Sequence, residues 1–320
     1  MSFLFSVVIS NFNKGPFIAE TISSVLAQTY SNFEILITDD FSTDDSCSII
    51  ENFANQHGNI RVWRNERNRG ANFCRNNGVQ NAKGDYLIFL DSDDLLDKNC
   101  LQYRLQQIEK FPNFDMWVFS MQSFKGNLAN KISIWNPPKS GHLKGFLTHR
   151  LPWTISQPAW RMSYIKKLKG FNESFRRFQD VELHTRAMLD GARVFISTNQ
   201  PDCFYRVDMV RIKNFEAHFK SLVHSSLQYF RLFYVQVKEP KYLFSTTLYV
   251  LDSLWYAMVT GQITKKVANE MVELMLLEVG KISTDDKRNS VLRYYWNIKS
   301  RFSFNVKGLR FTFTKILESA

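Results

Sequence analysis

Patterns typical of β-strands alternate with patterns typical of helices over the first 120 or so residues. The stretch "FSVVIS" is a short apolar strand, and behind Pro16 the next segment carries apolar residues at helical spacing. The stretches "FEILITDD", "NIRVWRN" and "DYLIFLD" predict further strands, each separated from the next by a helical segment. Strands separated by helices of this length predict an α/β fold, with a mostly parallel sheet flanked by helices.

The second half of the chain changes character. The stretch "GNLANKISIWNPPKSGHLKG" has no clear period and predicts a loop, whereas the pattern beyond about residue 210 is helical throughout. We therefore expect one domain over residues 1–210 and a helical C-terminal region over residues 211–320. The helical region would serve packing, oligomerisation or association with a membrane surface.

Polar residues follow several of the predicted strands. They occupy positions 10–13, 39–40 and 91–94, and ligands of parallel sheets bind at this carboxyl edge of the strands. Asn68 and Gly70 suit a tight loop close to a ligand, and Arg75 could meet a base or a phosphate. Arg75 could equally be a solvated charge on a helix.

Asp91 and Asp93 come directly after the strand "DYLIFL". Two carboxylates at this spacing can bind one Mg²⁺ or Mn²⁺ and leave the other octahedral positions to phosphate oxygens and water. The alternative is that they cap the next helix, which isolated pairs of aspartates do more often. At the end of the second strand, Asp40 could accept hydrogen bonds from a nucleobase, and an ordinary turn with a helix cap is again the alternative.

Four ordered motifs carry a family resemblance. The stretches "SVVISNFNK", "AQTYSNFEILITDDFSTD", "NRGANFCRNNGVQNAKGDYLIFLDSDD" and "FQDVELHTRAMLDG" cover roughly residues 3–210. In this order and spacing they resemble the family 2 inverting glycosyltransferases with the GT-A fold, of the bacterial polysaccharide or glycolipid type.

The resemblance implies roles for individual residues. Ser10 and Asp40 would contact the nucleotide, Asp40 through the base, while Asp93 would bind the metal ion directly and Asp91 would lie near the ribose and the metal-bound water. The expected nucleotide-sugar contacts are Ser10, Asn13, Asp40, Asn68, Gly70, Arg75 and Asp91, and the expected metal ligands are Asp91 and Asp93. The ion would be Mn²⁺ or Mg²⁺.

The resemblance further implies that Asp180 is the general base, although Gln179 replaces the usual glutamate before it. A second departure is that Asp208 stands where many relatives have a histidine after Tyr-Arg-x. The chemistry would be a metal-assisted single displacement from a nucleotide-diphosphate donor, a UDP-sugar, to a hydroxyl of a saccharide or lipid-linked acceptor. The resemblance would place the protein in surface polysaccharide synthesis. For Asp180, the alternative role is to cap the helix that it begins.

The stretch "WTISQPAWR" is a candidate for the acceptor cleft. Trp153 and Trp160 could stack on a sugar face and Gln157 could bind its hydroxyl groups, while an ordinary core position is the equal alternative for both tryptophans.

Two other classes of protein share some of these features. A dehydrogenase needs G-x-G-x-x-G after the first strand, which "ISNFNKGPF" lacks, and no G-x-x-x-x-G-K-[ST] is present. The net charge of +11 motivates the other class, a basic protein with a degenerate glycosyltransferase fold that binds polyanions or membranes. We expect no nucleic acid partner.

The opening "MSFLFSVVIS" lacks a basic leader and no segment is apolar enough to span a bilayer, so we expect a cytoplasmic protein, at the inner face of the membrane if it docks there. The C-terminal tail interleaves basic residues with aromatic ones, which suits anionic lipid; a packed helical subdomain or a homodimer contact is the alternative. The tail's basic residues are Arg293, Lys299, Arg301, Lys307, Arg310 and Lys315, and its aromatic ones Tyr294, Tyr295, Trp296, Phe302, Phe304, Phe311 and Phe313.

Overall fold

A computed structural model of the chain describes residues 3–207, 214–303 and 308–319. In chain order its strands are β1 (Phe5–Asn11), β2 (Phe33–Asp39), β3 (Ile60–Arg64), β4 (Tyr86–Asp91), β5 (Leu95–Leu96), β6 (Met116–Val118), β7 (Met121–Lys125), β8 (Asn127–Trp135), β9 (Pro158–Arg161), β10 (Val194–Ile196) and β11 (Cys203–Arg206). Its helices are α1 (Gly15–Leu26), α2 (Ser46–Gln56), α3 (Ala71–Asn81), α4 (Cys100–Lys110), α5 (His142–Leu147), α6 (Met162–Lys167), α7 (Gln179–Leu189), α8 (Phe215–Tyr234), α9 (Leu243–Val259), α10 (Lys265–Ile282), α11 (Asp286–Lys299) and α12 (Leu309–Ser319).

The central sheet has the strand order β10-β6-β9-β4-β1-β2-β3. Only β9 runs antiparallel to its neighbours within this sheet, which confirms the predicted α/β fold with a mostly parallel sheet. In the register of the strands, Ser10 on β1 lies opposite Thr38 on β2 and opposite Asp91 on β4. The polar ends of these three strands therefore meet at one edge of the sheet.

The inner strands β1, β2 and β4 of this sheet are buried because helices cover both faces. Alternate residues of β1, such as Phe5, Val7 and Ile9, pack in one apolar cluster with Ile18 and Ile22 of α1. Each such side chain stabilises the fold by about 1.5–3 kcal/mol when it leaves water. This rigid core holds the polar residues at the strand ends in fixed positions.

A second, small sheet has the order β5-β11-β7-β8. Strand β8, which forms a hairpin with β7, and helix α5 replace the loop that the sequence predicts over residues 126–145. The prediction was wrong because β8 is an edge strand with most of its residues exposed, so it shows no alternation of buried and exposed positions. The register of the hairpin is also interrupted between Gln122 and Lys125.

The chain forms two compact units. The first unit consists of Met1–Ser140, Pro152–Glu173 and Arg186–Met209. The second consists of Gly141–Leu151, Ser174–Thr185 and Val210–Ala320, so it takes two short segments from the first 210 residues and includes Asp180. The expected boundary at residue 210 lies outside the described residues, and the division into 1–210 and 211–320 stays a prediction.

The second unit is helical. A charged cluster lies among its helices, where the Lys299 ammonium is 2.9 Å from a carboxylate oxygen of Asp252 and 4.4 Å from the ring centre of Trp255. The Tyr295 hydroxyl donates to the same carboxylate. Among the described residues, no helix combines the length and the apolar composition that crossing a lipid bilayer requires.

The basic-aromatic tail is divided between buried and exposed side chains. Tyr295 and Trp296 are buried, whereas Tyr294 and Phe311 are about 60% exposed (62% and 60%). Two of the tail residues named above, Phe304 and Lys307, lie outside the described residues. Part of the tail therefore packs, as expected for a helical subdomain, and part presents aromatic rings to solvent.

Candidate active site

Five carboxylates end or follow β2 and β4 in the first unit, and we call them the acidic edge: Asp39, Asp40, Asp91, Asp93 and Asp94. Asp39, Asp40 and Asp94 are buried. The side chains of Asp91 and Asp93 keep 34% and 25% of their surface exposed. Asp91 and Asp93 are thus the carboxylates of the acidic edge that a ligand can reach, as a metal-binding role requires.

Both of these carboxylates pair with a cationic side chain of the same unit. The Arg75 guanidinium donates to Asp91 over 2.8 Å, and the Lys14 ammonium forms an ion pair with Asp93. Arg75 itself is nearly buried and its guanidinium carbon lies 5.3 Å from the ring centre of Phe171. The structure thus places Arg75 on a carboxylate, where it orients Asp91.

Asp94 is buried between its two acidic neighbours. Burial, followed by the charges of Asp91 and Asp93, raises the pKa of the Asp94 carboxyl well above its usual range. The Arg206 backbone N–H donates to Asp94 over 3.0 Å, which works in the opposite direction. This hydrogen bond fixes the turn that carries the metal-ligand candidates.

The Arg206 side chain connects three further parts of the first unit. Its Nε donates to the Asp93 carbonyl over 2.8 Å and its Nη1 to the Gly126 carbonyl over 2.6 Å. Its Nη2 lies 2.5 Å from a carboxylate oxygen of Glu20 on α1. Arg206 therefore fixes the backbone of the acidic turn, while Asp208, the departure noted in the sequence, lies outside the described residues.

Asp40 organises the loop before α3. Its carboxylate accepts hydrogen bonds from the Asn65 side chain over 2.8 Å, from the Arg69 N–H over 2.7 Å and from the Gly70 N–H over 2.8 Å. Gly70 has φ of 93°, which favours glycine, and Asn68 lies 3.4 Å from the Asp40 carbonyl. The structure brings together the predicted Asp40, Asn68 and Gly70, and a nucleobase at Asp40 would share a carboxylate that already holds the loop.

Asn13 joins the ends of β1 and β2. Its N–H donates to Ser42 Oγ over 2.9 Å and its side-chain oxygen accepts from the Thr43 N–H over 2.8 Å. Asn13 and Phe41 both have left-handed backbones, with φ of 52° and 68°. Such conformations cost free energy in residues other than glycine and occur often at binding sites, so these strand ends are held in a specific shape.

The residues of the acidic edge fit a divalent cation. Carboxylate oxygens are the ligands that Mg²⁺ and Mn²⁺ prefer, and cationic groups of the chain already occupy Asp91 and Asp93. In the part of the chain that the structure describes, no group of three or more His, Cys, Asp and Glu side chains could hold a metal ion. A cation at Asp91 and Asp93 would therefore need further oxygens, which the phosphates of a nucleotide can supply.

Asp180 lies in the first turn of α7, in the second unit. The Val181 N–H donates to its Oδ1 over 2.9 Å, and a carboxylate is favourable at this end of a helix dipole. One turn later, burial lowers the pKa of His184 to about 3, against a hydrogen bond to the Asp180 backbone that acts in the opposite direction. The helix start and a neutral buried imidazole thus hold the backbone at Asp180.

The predicted acceptor residues belong to the core of the first unit. Trp153, Gln157 and Trp160 have no exposed surface, and the Gln157 amide is bonded to the Phe119 carbonyl and the Thr154 N–H, each over 2.8 Å. A side chain without exposed surface cannot stack on a sugar. We therefore correct the acceptor assignment to the alternative reading of core residues.

A cavity of about 950 Å³ in the first unit contains none of the predicted site residues. It lies at the small sheet and the loop before β11, where its lining includes Tyr103, Gln122 and Asn199. Its size alone gives no reason to move the chemistry there, because Asp91 and Asp93, the accessible carboxylates of the acidic edge, do not line it.

Sequence reasoning missed Lys14 and Arg206, which both contact Asp93 in the acidic edge. Lys14 directly follows the strand-end residues 10–13, and this position was the available signal. Arg206 lies 113 positions from Asp93, and local sequence gives no sign of such a contact.

The comparisons with known proteins agree with this fold. The sequence matches the family model described as Glycosyl transferase family 2 over residues 6–168, about half of the 320-residue chain. The glycosyltransferase GlyG of Streptococcus pneumoniae serotype 4 is 39% identical over 110 residues, which are 34% of this chain and 36% of GlyG. This chain therefore spans about a third of the length of that relative.

Two solved structures are similar over nearly the whole chain. Residues 1–349 of Staphylococcus aureus TarS, solved with UDP-GlcNAc, match with a TM-score of 0.67 and 16% identity over 98% of this chain and 90% of that one. The mannosyltransferase PcManGT of Pyrobaculum calidifontis, solved with GDP-Man and Mn²⁺, matches with a TM-score of 0.53 and 17% identity over 98% of this chain and 84% of that one. At these identities the likeness concerns the fold, and it confirms the expected GT-A architecture.

Proposed function

We propose a specific reaction for this chain, which belongs to glycosyl transferase family 2 and is a glycosyltransferase. It transfers a sugar from a UDP-sugar to a hydroxyl of a saccharide or lipid-linked acceptor, by a single displacement that inverts the anomeric carbon. The observation that carries the proposal is the pair of accessible carboxylates at the end of β4, Asp91 and Asp93, each already paired with a cation of the chain. The UDP and UDP-GlcNAc complexes of TarS support the choice of nucleotide.

Each residue has a task in this proposal. Asp91 and Asp93 hold Mn²⁺ or Mg²⁺, an assignment supported by the Mn²⁺ in the complex of PcManGT. Such an ion, when bound, would supply positive charge against the negative charge that develops on the leaving diphosphate. Arg75 keeps Asp91 in place, and the Lys14 ammonium, now paired with Asp93, would be available to the diphosphate if a cation took its position.

The nucleotide would lie along the ends of β1 and β2. Ser10 on β1 and Asn13 just after β1 would contact it, while Asp40 and the loop with Asn68 and Gly70, which the Asp40 carboxylate holds, would bind the base. Asp180 accepts the proton of the attacking hydroxyl, as a carboxylate within hydrogen-bond reach of that hydroxyl can. No histidine is required for this step.

We further propose that the product belongs to a surface polysaccharide or glycolipid and that the protein works at the cytoplasmic side of the membrane. The exposed rings of Tyr294 and Phe311 support peripheral contact with lipid. A homodimer contact through the helical region stays a prediction.

Thermal unfolding with a panel of nucleotide sugars, with and without Mn²⁺, tests the donor half of the proposal. Because metal and diphosphate complete each other's coordination, UDP with Mn²⁺ should raise the melting temperature more than the sum of the separate shifts. Hydrolysis of one nucleotide sugar above the others identifies the sugar. Equal, small shifts for all nucleotides would contradict the proposal, and binding to polyanions that survives Asp93→Ala would favour the basic binding protein instead.

A further inference from the structure

A pocket of about 260 Å³ lies beside Asp180 within the second unit. Its lining consists of His149, Leu151, Arg176, Arg177, Phe178, Gln179, Asp180, Val181, Leu222 and Tyr249, and we call it the arginine pocket. The inference below rests on the proposed function, because that proposal makes Asp180 the group that receives the proton of the acceptor. The proposal puts the acceptor hydroxyl within hydrogen-bond reach of Asp180, which this pocket adjoins.

The arginine pocket carries more positive than negative charge. Arg176 and Arg177 are both exposed, and Asp180 is the one carboxylate among the described residues that line the pocket. Burial, followed by the charge of Arg310, lowers the pKa of His149 to about 3, so this imidazole is neutral near neutral pH. The lining therefore includes two arginines and one carboxylate.

Neither guanidinium is neutralised by an ion pair among the described residues. Arg176 makes no side-chain hydrogen bond there, and Arg177 Nη2 lies 3.4 Å from His218 Nε2. Burial, followed by the charge of Arg177, lowers the pKa of His218, so this neighbour is no counter-charge. Arg75, Arg104 and Arg206, by contrast, each pair with a carboxylate of the chain.

The wall of the pocket is held in an uncommon backbone shape. Phe178 and His149 both have left-handed backbones, with φ of 60° and 53°, and their ring centres are 4.8 Å apart. Phe178 and Gln179 lie between the two arginines and Asp180 along the chain, so the left-handed backbone of Phe178 changes the chain direction between them. The Arg177 N–H donates to Ser225 Oγ over 3.1 Å, which fixes this segment to α8. Residues other than glycine keep such conformations where the surroundings impose them, often at binding sites.

We propose that the acceptor carries a phosphate group that Arg176 and Arg177 bind, next to the hydroxyl that attacks the donor. A single guanidinium satisfies the two coplanar oxygens of a carboxylate. Two adjacent guanidinium groups match the larger number of oxygens around a phosphorus atom, and arginine is the residue best suited to such recognition. The adjacent pair therefore favours a phosphate over a carboxylate.

The transfer step is balanced in this arrangement. The acceptor oxygen forms a bond to the anomeric carbon while the bond from that carbon to the diphosphate oxygen breaks. The hydroxyl proton passes to the Asp180 carboxylate, and the nucleoside diphosphate leaves with the bonding electron pair. The acceptor phosphate takes no part in bond making, since it only positions the hydroxyl.

The test uses the full chain, with UDP and diamagnetic Mg²⁺ present at saturation so that the phosphate-binding capacity of the nucleotide site is filled. Glycerol 3-phosphate, glycerate and glycerol are titrated as minimal probes, and binding is followed by ligand-observed NMR. We expect glycerol 3-phosphate to bind at least about tenfold more tightly than glycerate, with no detectable binding of glycerol. In the double variant Arg176→Gln/Arg177→Gln its dissociation constant should rise about tenfold or more.

The matched control is Lys265→Gln/Lys266→Gln, which removes two adjacent exposed cations of the same unit outside the pocket. It should bind glycerol 3-phosphate as the parent does. The inference is overturned if glycerol 3-phosphate fails to bind the parent, if glycerate binds as tightly, or if the arginine and lysine variants behave alike. Failure of the proposed function shows separately, as the absence of any UDP or nucleotide-sugar binding with Mn²⁺.

Discussion

The acidic edge of the first unit and the arginine pocket of the second unit handle charge in opposite ways. In the acidic edge, the accessible carboxylates are already paired with Lys14 and Arg75. In the arginine pocket, Arg176 and Arg177 have no carboxylate ion pair among the described residues. The first region is thus prepared to exchange one cation for another, whereas the second attracts an anion that the chain does not supply.

The largest expected effect tests whether the acidic edge binds a catalytic cation. Asp93→Asn removes the carboxylate that a divalent cation would take over from Lys14. Because a bound ion contributes several kcal/mol to stabilising the leaving diphosphate, kcat/KM for transfer should fall by about 10³ or more. The control is Asp45→Asn, an exposed carboxylate in the first unit that makes no capping hydrogen bond, which should keep the parent rate. A parent-like rate in Asp93→Asn would show that the acidic edge holds no catalytic ion.

The next effect concerns the one carboxylate of the arginine pocket. Asp180→Asn keeps the size of the side chain, so binding of the nucleotide sugar should persist while transfer falls by roughly 10² or more, as expected for a lost general base. Single-turnover kinetics at saturating donor measures it. The matched variant Asp286→Asn changes a carboxylate in the first turn of another helix of the second unit and should leave transfer unchanged. Transfer at the parent rate by Asp180→Asn would mean that another residue is the base.

The fold of the first unit could be predicted from sequence far better than its charge pairing. Strands β1, β2 and β4 are buried and follow directly from apolar patterns, and the helices between them follow from spacing. The pairing of Lys14 with Asp93 joins residues 79 positions apart, and that of Arg206 with Glu20 joins residues 186 apart. Such contacts depend on the packing of whole elements, which local patterns do not encode.

In the second unit, too, the sequence did not predict contacts between residues that are far apart along the chain. The sequence marked Asp180 through its motif, but nothing local indicated that Arg176 and Arg177 would line a pocket with His149 and Tyr249, which lie at least 27 positions away. The acceptor prediction at Trp153 and Trp160 was wrong because aromatic side chains suit a core and a sugar face equally. Only burial separates the two.

A third prediction concerns how the buried histidines of the second unit make the stability of the protein depend on pH. The folded second unit keeps His149 and His184 with pKa values of about 3, against about 6.5 for an unfolded histidine. Below pH 6.5 the unfolded chain binds protons that the folded chain does not, so stability falls as the pH drops from 6.5 towards 3. The loss is about 1.4 kcal/mol per pH unit for each imidazole.

His149→Phe should therefore reduce the loss of stability between pH 6.5 and 5 by about 2 kcal/mol relative to the parent. Urea unfolding at both pH values measures this difference. His57→Phe, in the first unit, serves as the control variant. An unchanged pH dependence in His149→Phe would show that this imidazole does not stay neutral in the folded protein.

The smallest expected effect concerns the exposed rings of the tail. Tyr294→Ser/Phe311→Ser should weaken the affinity for phosphatidylglycerol vesicles, measured by sedimentation, by less than about tenfold. The effect is small because the many basic residues of the protein also contribute to lipid binding and are unchanged. Leu274→Ser/Leu277→Ser removes exposed apolar residues from α10, outside the tail, and should bind vesicles as the parent does. If the parent protein does not sediment with these vesicles, the tail does not bind anionic lipid, and the arginine pocket remains as the proposed anion site.

The position of Arg206 has a consequence for the order in which the molecule matures during synthesis. The strands β1 to β4 involve only the first 91 residues and can pair early, because their contacts are close in sequence. The turn at Asp93 and Asp94, however, is held by the backbone N–H and the side chain of Arg206, a residue that the ribosome adds more than a hundred residues later. At roughly 5–20 residues per second, the nascent chain carries that turn without its anchor for about 6–23 seconds. We therefore expect a nascent polypeptide arrested before residue 206 to contain the sheet and to bind no nucleotide.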